Sequence, residues 1–404
     1  MKIRTLACVG VFCFLALSAG GCVSSKPQGY SGVTSYAGIL YLGSMDGKIV
    51  AVNPSARSQE LPFPSSNGEW SYPITTLSKS MLSCSSSPTP VSIYGTPVVV
   101  DGSVCVGTYS GKVLMINPSA RSQNLSFPHM RGGEWIYPRT DDVIGAIVGS
   151  PVAESDTIYV CSSDGRVYAL DATYGDEKWK SDTLGDKLWS TPVVTGETVY
   201  VSTFDGHVYA LSAEDGSLLP WVFEAETGFV SSPVLYKDTL IVGSFDRKLY
   251  AIETDGGDLL WEFPAANWFW AAPVLDDGIA YAGCLDGRVY ALNVESGEEL
   301  WELDTGDFVE KKKDHIISSP ILVDDSLVVA TESGNVFVVN PKTGSPERVK
   351  NPDDSQSDDK PSVDAPIWSS LCALDSMVYV RAQDNYLYVV DVAEREMKLK
   401  FCLD

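Results

Sequence analysis

The sequence has very few histidines and lacks the common catalytic motifs. Three of its 404 residues are histidine, and none has a neighbouring ligand at the spacing that a zinc site requires. The motifs G-x-S-x-G, H-E-x-x-H and G-x-x-x-x-G-K-[ST], which mark serine hydrolases, zinc proteases and phosphate-binding loops, are absent. We therefore predict no catalytic residues, no bound metal and no cofactor.

Positive charge is also scarce. Lysine and arginine number 29 against 53 aspartates and glutamates, which gives a formal net charge of −24. Nucleic acid requires a basic surface to neutralise its phosphates, so we predict that this protein does not bind it. An anionic lipid surface would also repel the body of the protein. The composition favours a basic patch on another protein, or a cation, as a partner.

Cysteines occur without any C-x-x-C pair. Two of the nine belong to the predicted leader, and a third is the lipidation candidate described below. The other six are Cys84, Cys105, Cys161, Cys284, Cys372 and Cys402. Buried free thiols are the expected state for this group, and a disulfide to Cys84 stays open as an alternative.

Long hydrophobic runs are missing except near the N-terminus. Lys2 and Arg4 precede an apolar stretch at residues 6–17, which is too short to span a bilayer. Small residues at 18–21 then lead to Cys22, an order that resembles a bacterial lipobox. We predict a signal peptide over residues 1–22 that ends at a lipidated Cys22, and a polar tether over 23–29. Ordinary secretory cleavage near Gly21 is the alternative.

A repeated heptapeptide organises the rest of the chain. DGRVYAL occurs at residues 164–170 and again at 286–292. Related heptapeptides begin at Asp46, Ser110, Asp205, Asp246, Ser333 and Asp384. The central copies are 41, 41 and 40 residues apart, and a proline-containing segment such as TPVV keeps the same spacing. Two features with one spacing indicate a true structural repeat.

Each repeat has the pattern of four β-strands. Runs rich in valine and tyrosine flank an Asp-Gly pair, which is typical of a two-residue hairpin loop with positive φ. Asn385 suits such a φ, but Arg247 does not, so we expect the fifth hairpin to be strained or differently shaped. The fourth run often ends in tryptophan, as at Trp179, Trp221, Trp261 and Trp301, and we expect these residues to dock neighbouring blades. The fold class predicted is all-β, an eight-bladed β-propeller over residues 30–404; a β-helix is the rival architecture.

The stretch ALDATYGDEKW at residues 169–179 resembles the repeat of the pyrroloquinoline-quinone (PQQ) type propellers. ALNVESGEELW at 291–301 and AIETDGGDLLW at 251–261 are similar to it as well. Two branches share this repeat: quinoprotein alcohol dehydrogenases and non-enzymatic envelope lipoproteins of the BamB family. Eight repeats in about 400 residues and a lipidation candidate resemble the BamB family, whereas the adjacent cysteine pair of the dehydrogenases is missing.

The BamB resemblance implies a non-enzymatic, lipid-anchored scaffold for envelope proteins. Partners would include the β-barrel assembly machinery, on the periplasmic face of an outer membrane where the host has one and otherwise on the outer face of the cytoplasmic membrane. A PQQ-dependent dehydrogenase and an envelope sensor for ligands or polysaccharides are the alternatives. A duplicated insertion, NPSARSQ at residues 53–59 and 117–123, departs from the compact repeat, so no partner contacts are carried over.

One repeat position is unusually aromatic. Three residues before the proline of each repeat, or before Val33 and Leu371 where the first and last repeats lack it, five of the eight side chains are aromatic. These five are Tyr30, Tyr94, Trp189, Trp270 and Trp368. Equivalent positions project equivalently in a propeller, so we expect them at one mouth of the central channel. They are the candidate binding rim for an extended peptide or a small ligand, and packing under the long loops between blades is the alternative.

Overall fold

The computed structural model describes residues 29–59, 63–65, 67–76, 89–123, 125–140, 142–309, 314–351 and 361–403. The strands in these residues form eight four-stranded antiparallel sheets and one two-stranded sheet. They make an eight-bladed β-propeller, which confirms the predicted fold class. The predicted signal peptide, the lipidation candidate Cys22, residues 23–28 of the predicted tether, and Cys84 lie outside the described residues.

Blades 1 to 4 use their strands in chain order, with the first strand innermost. Blade 1 contains β1 (Val33–Tyr36), β2 (Ile39–Gly43), β3 (Lys48–Val52) and β4 (Trp70–Pro73), and the two-stranded sheet β5 (Thr75–Thr76) and β6 (Thr89–Pro90) follows it. Blade 2 contains β7 (Val98–Val100), β8 (Ser103–Gly107), β9 (Val113–Ile116) and β10 (Trp135–Tyr137). Blade 3 contains β11 (Val152–Glu154), β12 (Thr157–Cys161), β13 (Val167–Asp171) and β14 (Glu177–Lys180). Blade 4 contains β15 (Val193–Thr195), β16 (Thr198–Ser202), β17 (His207–Ser212) and β18 (Leu218–Glu224).

Blades 5 to 8 repeat this arrangement. Blade 5 contains β19 (Val234–Tyr236), β20 (Thr239–Gly243), β21 (Lys248–Glu253) and β22 (Leu259–Pro264). Blade 6 contains β23 (Val274–Asp276), β24 (Ile279–Gly283), β25 (Arg288–Asn293) and β26 (Glu299–Asp304). Blade 7 contains β27 (Ile321–Val323), β28 (Ser326–Ala330), β29 (Val336–Val339) and β30 (Pro346–Arg348). Blade 8 contains β31 (Cys372–Leu374), β32 (Met377–Arg381), β33 (Tyr386–Asp391) and β34 (Glu396–Cys402).

Short helices complete the described residues. The helices α1 (Pro54–Arg57) and α2 (Pro118–Ser122) lie in the two insertions, and 3₁₀ turns cover Met130–Gly132 and Thr305–Phe308. No helix in the described part of the chain is long and apolar enough to cross a membrane.

The hydrophobic core is divided among the spaces between blades. Eight clusters of buried residues occur in the described residues, and each joins two neighbouring blades. One of them packs Ile241 and Trp261 of blade 5 against Ala280 and Tyr290 of blade 6. Because the middle strands of every blade are covered on both faces, their sequences show little polar alternation.

Arg247 tests how much the hairpin depends on glycine. The residue takes a φ of 71°. The hairpin keeps the hydrogen bond from the Ser244 N–H to the Lys248 oxygen at 3.0 Å, and its counterparts make the same bond at 2.8–3.1 Å. The fifth hairpin is therefore strained as expected, but its shape is not different. A left-handed conformation costs a residue with a Cβ about 1–2 kcal/mol.

We predict that Arg247→Gly raises the free energy of unfolding by about 1 kcal/mol, because glycine removes this strain. The matched control is Arg247→Ala, which deletes the exposed side chain and keeps the Cβ, and it should change stability by less than about 0.5 kcal/mol. Urea denaturation of the three proteins gives the comparison. An equal gain from both substitutions would show that the arginine side chain, not the backbone, carries the cost.

The blade tryptophans dock on the next blade, as predicted. The indole N–H groups of Trp179, Trp261 and Trp301 donate to carbonyls of the following blade at 2.8–2.9 Å. A glycine with positive φ in that blade packs against each ring. For example, a Cβ on Gly297 would come within 2.6 Å of Trp261. Glycine is needed there both for its φ and for the close approach.

Two docking tryptophans were missed because they lie behind the insertions. Trp135 is 1% exposed, donates to the Ala172 oxygen at 3.0 Å and contacts Gly175 in the same way. Trp70 is also buried, but its N–H has no acceptor among the described residues. The connection in blade 2 that faces Trp70 contains α2 in place of the usual glycine turn, which explains the different environment.

Each of the two insertions contains an equivalent buried ion pair. The Arg121 guanidinium binds the Glu134 carboxylate through two hydrogen bonds of 2.9 and 2.7 Å, and the Arg57 Nε lies 2.8 Å from Glu69. Burial would raise the pKa of Glu69, but the N–H groups of Ser65 and Asn53 and the Arg57 guanidinium bind the carboxylate and lower its pKa. Each ion pair therefore fixes the end of its helix against the strand that follows.

In the described residues, blades 8 and 1 each consist of four consecutive strands, so the ring closes without exchange of a strand between them. Apolar residues of both blades share one core cluster, which the first insertion covers with Phe63. Arg381, 2% exposed, donates to the oxygens of Ser31 and Gly29 at 3.2 and 3.0 Å, and burial lowers its pKa to about 10. Arg381 thus holds the chain that leads into β1 against blade 8.

Four of the predicted free thiols are buried. Cys105, Cys161, Cys284 and Cys372 are free and buried, whereas Cys402 is exposed. Burial raises the pKa of Cys105, Cys161 and Cys284, so these thiols stay protonated. The expectation of burial was wrong for Cys402, because it lies at the end of the outermost strand of blade 8.

Candidate functional site

The segment before each innermost strand alternates between buried and partly exposed residues. In blade 4, Leu188 is buried between blades 3 and 4, and Trp189 beside it is partly exposed. In blade 6, Phe269 is buried and Trp270 is partly exposed in the same way. Since consecutive residues of an extended chain project to opposite sides, the partly exposed series points away from the core and toward the channel.

A second position reaches the same mouth from the hairpins. The residue before the hairpin aspartate donates its N–H to the segment just described, as Phe204 does to Lys187 and Phe245 to Gly228, both at 3.0 Å. Tyr109 makes the equivalent bond to Ser92 at 3.0 Å. We define the channel mouth as these hairpin residues together with the residues three and five before the repeat proline.

One side of the mouth carries an arc of aromatic rings from blades 8, 1 and 2. The Tyr30 ring lies 5.2 Å from Trp368 and 5.0 Å from Tyr94, and Tyr94 lies 5.3 Å from Tyr109. Equivalent residues of three consecutive blades can meet only near the axis, so these rings border the channel. We call this group the first aromatic arc; its Tyr109 is 47% exposed.

A second aromatic arc belongs to blades 4, 5 and 6. Phe204 lies 5.0 Å from Trp189 and 5.4 Å from Phe245, which in turn lies 5.0 Å from Trp268 and 6.1 Å from Trp270. Rings at such distances, tilted or edge-on, are in the favourable range for aromatic contacts. These five residues form the second aromatic arc.

The five residues predicted for the rim therefore divide into two groups. Tyr30 contacts both Tyr94 and Trp368, whereas Trp189 and Trp270 are connected through Phe204 and Phe245. Sequence reasoning missed Tyr109, Phe204, Phe245 and Trp268. Three of these precede the hairpin pair in their repeats, so an aromatic residue at that position is the signal that could have found them.

Polar contacts fix several mouth residues. The Trp189 indole N–H donates to the Ser163 hydroxyl at 3.0 Å, and the Lys187 ammonium lies 5.8 Å from the Trp189 ring centre, which is a cation–π distance. In blade 7, the His315 Nδ1 lies 2.9 Å from the Glu332 carboxylate. The Trp368 N–H is buried and has no acceptor among the described residues.

Hydroxyl groups link the blades just below the mouth. The N–H of Thr96 donates to the Ser150 hydroxyl, that of Ser150 to Thr191, and that of Thr191 to Ser232, at 2.9–3.0 Å. These residues immediately precede the repeat proline or its equivalent. The serines and threonines at this position therefore join blades 2 to 5 into a base below this part of the mouth.

The hairpin aspartates stabilise the loops that carry mouth residues. The carboxylates of Asp164, Asp246, Asp286 and Asp384 accept the hydroxyl of the tyrosine four residues later at 2.5–2.8 Å. Burial and the neighbouring aspartate raise the pKa of Tyr250, which keeps it a neutral donor. Each such pair holds one hairpin in a single conformation.

The described residues contain no group of three or more His, Cys, Asp or Glu side chains arranged to hold a metal ion. Rigid aromatic side chains around an opening can supply contact area for a bound molecule at low entropic cost.

The fold is similar to that of two solved structures. The crystal structure of BamB from Moraxella catarrhalis matches with a TM-score of 0.64 and 16% identity, over 89% of this chain and 95% of that chain. The computationally designed Ika8 protein matches with a TM-score of 0.65 and 15% identity, over 90% of this chain and 96% of that chain. At these identities the likeness concerns the fold alone.

Sequence comparison is more specific. Among curated proteins none matches the chain. The sequence model of the PQQ-like repeat family described as outer membrane protein assembly factor BamB matches residues 120–229 and 219–394. The two matches together span more than half of the sequence, and the chain therefore belongs to this family of BamB-like, PQQ-type β-propeller proteins.

Proposed function

We propose that this protein is a non-enzymatic scaffold of the cell envelope that binds other envelope proteins and takes part in assembling β-barrel proteins. The observation that carries the proposal is membership of the BamB family over residues 120–394. The partly exposed aromatic mouth supports a binding role, because aromatic residues dominate the energetics of protein interfaces.

We further propose that a lipid on Cys22 anchors the propeller. Tyr30 belongs to the channel mouth, so the chain reaches blade 1 on the mouth side of the ring. The predicted tether over residues 23–29 can extend by at most about 25 Å. A protein anchored in this way holds its channel mouth toward the membrane, on the periplasmic face of an outer membrane or the outer face of a cytoplasmic membrane.

Affinity purification from detergent-solubilised envelopes tests the scaffold. The tagged protein should fractionate with membranes and bring down envelope proteins, with the β-barrel assembly machinery among them. Cys22→Ser should move it into the soluble fraction, because one residue removes the lipid attachment. The propeller of this variant should melt like the wild type, since Cys22 precedes every described strand.

Two results would overturn the proposal. Purification that recovers the tagged protein without any envelope partner would remove the scaffold role. Alcohol-dependent dye reduction by the purified protein in the presence of pyrroloquinoline quinone and calcium would make it a dehydrogenase. Membrane fractionation that survives Cys22→Ser would refute the lipid anchor alone.

A further inference from the structure

The two aromatic arcs face each other across the channel mouth. The first arc comes from blades 8, 1 and 2 and is centred on blade 1, and the second comes from blades 4, 5 and 6 and is centred on blade 5. In a ring of eight blades, blades 1 and 5 are opposite. The mouth therefore has two aromatic walls instead of one continuous rim.

The two blades between the walls carry smaller or polar side chains. Blade 3 contributes Ala146, Val148 and Ser163 at the three mouth positions, and blade 7 contributes His315, Ile317 and Glu332. Blades 3 and 7 are also opposite each other. Ala146 and Val148 at one end, where the Trp189 indole reaches across to Ser163, and the hydrogen-bonded pair of His315 and Glu332 at the other define a path across the mouth, bordered by aromatic rings on both sides.

Two-sided walls suit an extended chain. Successive side chains of a strand point to opposite sides, so a segment lying along this path directs odd-numbered side chains to one arc and even-numbered ones to the other. A compact ligand such as a single sugar ring needs only one arc. The base of serine and threonine residues in blades 2 to 5 offers hydroxyl groups to a chain lying across it.

Charge selects among extended chains. The protein has a formal net charge of −24, and the Glu332 carboxylate lies at the blade 7 end of the path. Lys187, whose ammonium lies over the Trp189 ring, belongs to blade 4, next to the blade 3 end of the path. The field of the whole protein attracts basic segments and repels acidic ones.

We infer that the channel mouth binds an extended polypeptide segment of net positive charge, which lies from blade 3 to blade 7 with its side chains inserted alternately against the two aromatic arcs. The inference rests on the proposed scaffold function and assigns it a partner class: an unfolded or strand-like segment instead of a folded domain. Both arcs are needed, so each contributes to affinity.

The experiment uses the soluble Cys22→Ser protein and a fluorescent peptide of about twelve residues, which spans about 40 Å when extended. The peptide contains valine and tyrosine, which favour an extended conformation, together with two lysines that give it a net positive charge. Binding is measured by fluorescence anisotropy. Trp368→Ala tests the first arc and Trp270→Ala the second, and each should weaken binding at least about tenfold, which is about 1.4 kcal/mol.

Controls separate binding from folding. Leu300→Ala removes a side chain that is 47% exposed on the outer strand β26, far from the mouth, and should leave affinity unchanged. All variants should keep the wild-type melting temperature. If an alanine variant melts early, phenylalanine and leucine variants at the same positions replace it. Trp270→Phe and Trp368→Phe keep an aromatic ring and should retain most of the affinity. Trp270→Leu and Trp368→Leu lack a ring and should lose it.

The outcomes separate this inference from the scaffold function. If substitution in only one of the two arcs weakens binding, or if an acidic peptide binds equally well, the proposed site for a basic peptide between two aromatic walls is refuted. Binding of an oligosaccharide in place of the peptide assigns the mouth to carbohydrate. Capture of envelope partners that survives the combined Trp270→Ala and Trp368→Ala substitutions leaves the scaffold function standing while this inference fails. Peptide binding by a protein that captures no envelope partner would support the peptide site while the scaffold function fails.

Discussion

Replacing Trp261 by alanine is expected to lower the free energy of unfolding by about 3–5 kcal/mol. The side chain is 9% exposed and belongs to the core between blades 5 and 6. Its removal deletes the contact with Gly297 and leaves the Val294 oxygen without the indole N–H that lies 2.8 Å away. A cavity and an unpaired carbonyl therefore arise together.

Two further variants identify the source of the loss. Trp261→Phe keeps an aromatic ring but not the N–H, so its loss should be intermediate. Trp221→Ala removes a docking residue that is only half-buried and should cost less than Trp261→Ala. The measurement is urea denaturation followed by circular dichroism. A loss of less than about 1 kcal/mol for Trp261→Ala would show that blade docking does not depend on this ring.

These docking residues also show why the fold could be predicted from the sequence. A propeller repeats its local contacts, so each glycine turn, hairpin aspartate and tryptophan appears at a fixed spacing, and several copies of one pattern outweigh any exception. Arg247 illustrates the strength of this effect, because the surrounding strands impose a φ of 71° on a residue that does not favour it. The repeat determines the backbone, and the individual side chain adapts to it.

The candidate site was only partly predictable. Equivalence of repeat positions is enough to place Trp189 and Trp270 on the channel side, but their link through Phe204 and Phe245 requires two segments distant in the repeat to meet. The division into two opposed arcs follows from which blades lack Phe, Tyr or Trp at the mouth positions. It is visible only when the ring is closed and opposite blades are known.

The insertions lie at the other extreme, because their contacts follow no repeat rule. Arg121 and Glu134 are 13 residues apart, and nothing in their spacing announces an ion pair. Trp135 directly follows this glutamate, and the insertion before it hides its correspondence with the tryptophans of blades 3 to 6. A duplicated sequence shows that a feature occurs twice, but not what it binds.

Glu134→Ala is expected to cost about 3–5 kcal/mol, because it leaves a buried guanidinium without its carboxylate. The side chains of Arg121 and Glu134 are 2% and 0% exposed. The same carboxylate accepts the N–H groups of Asn117 at 3.0 Å and His129 at 2.7 Å. Removing it therefore deprives one charge and two backbone donors of their partner, and thermal or urea denaturation should show the loss directly.

The duplication provides a matched comparison. Glu69→Ala removes the equivalent carboxylate in blade 1, where the Arg57 side chain is 10% exposed and water can solvate the charge that is left behind. Its cost should therefore be smaller than that of Glu134→Ala. Arg121→Met combined with Glu134→Ala removes the stranded charge as well, so it should recover part of the loss, but not the part due to Asn117 and His129. If the double variant is no more stable than Glu134→Ala, the backbone hydrogen bonds rather than the ion pair account for the cost, and the carboxylate serves mainly to order the loop between α2 and β10.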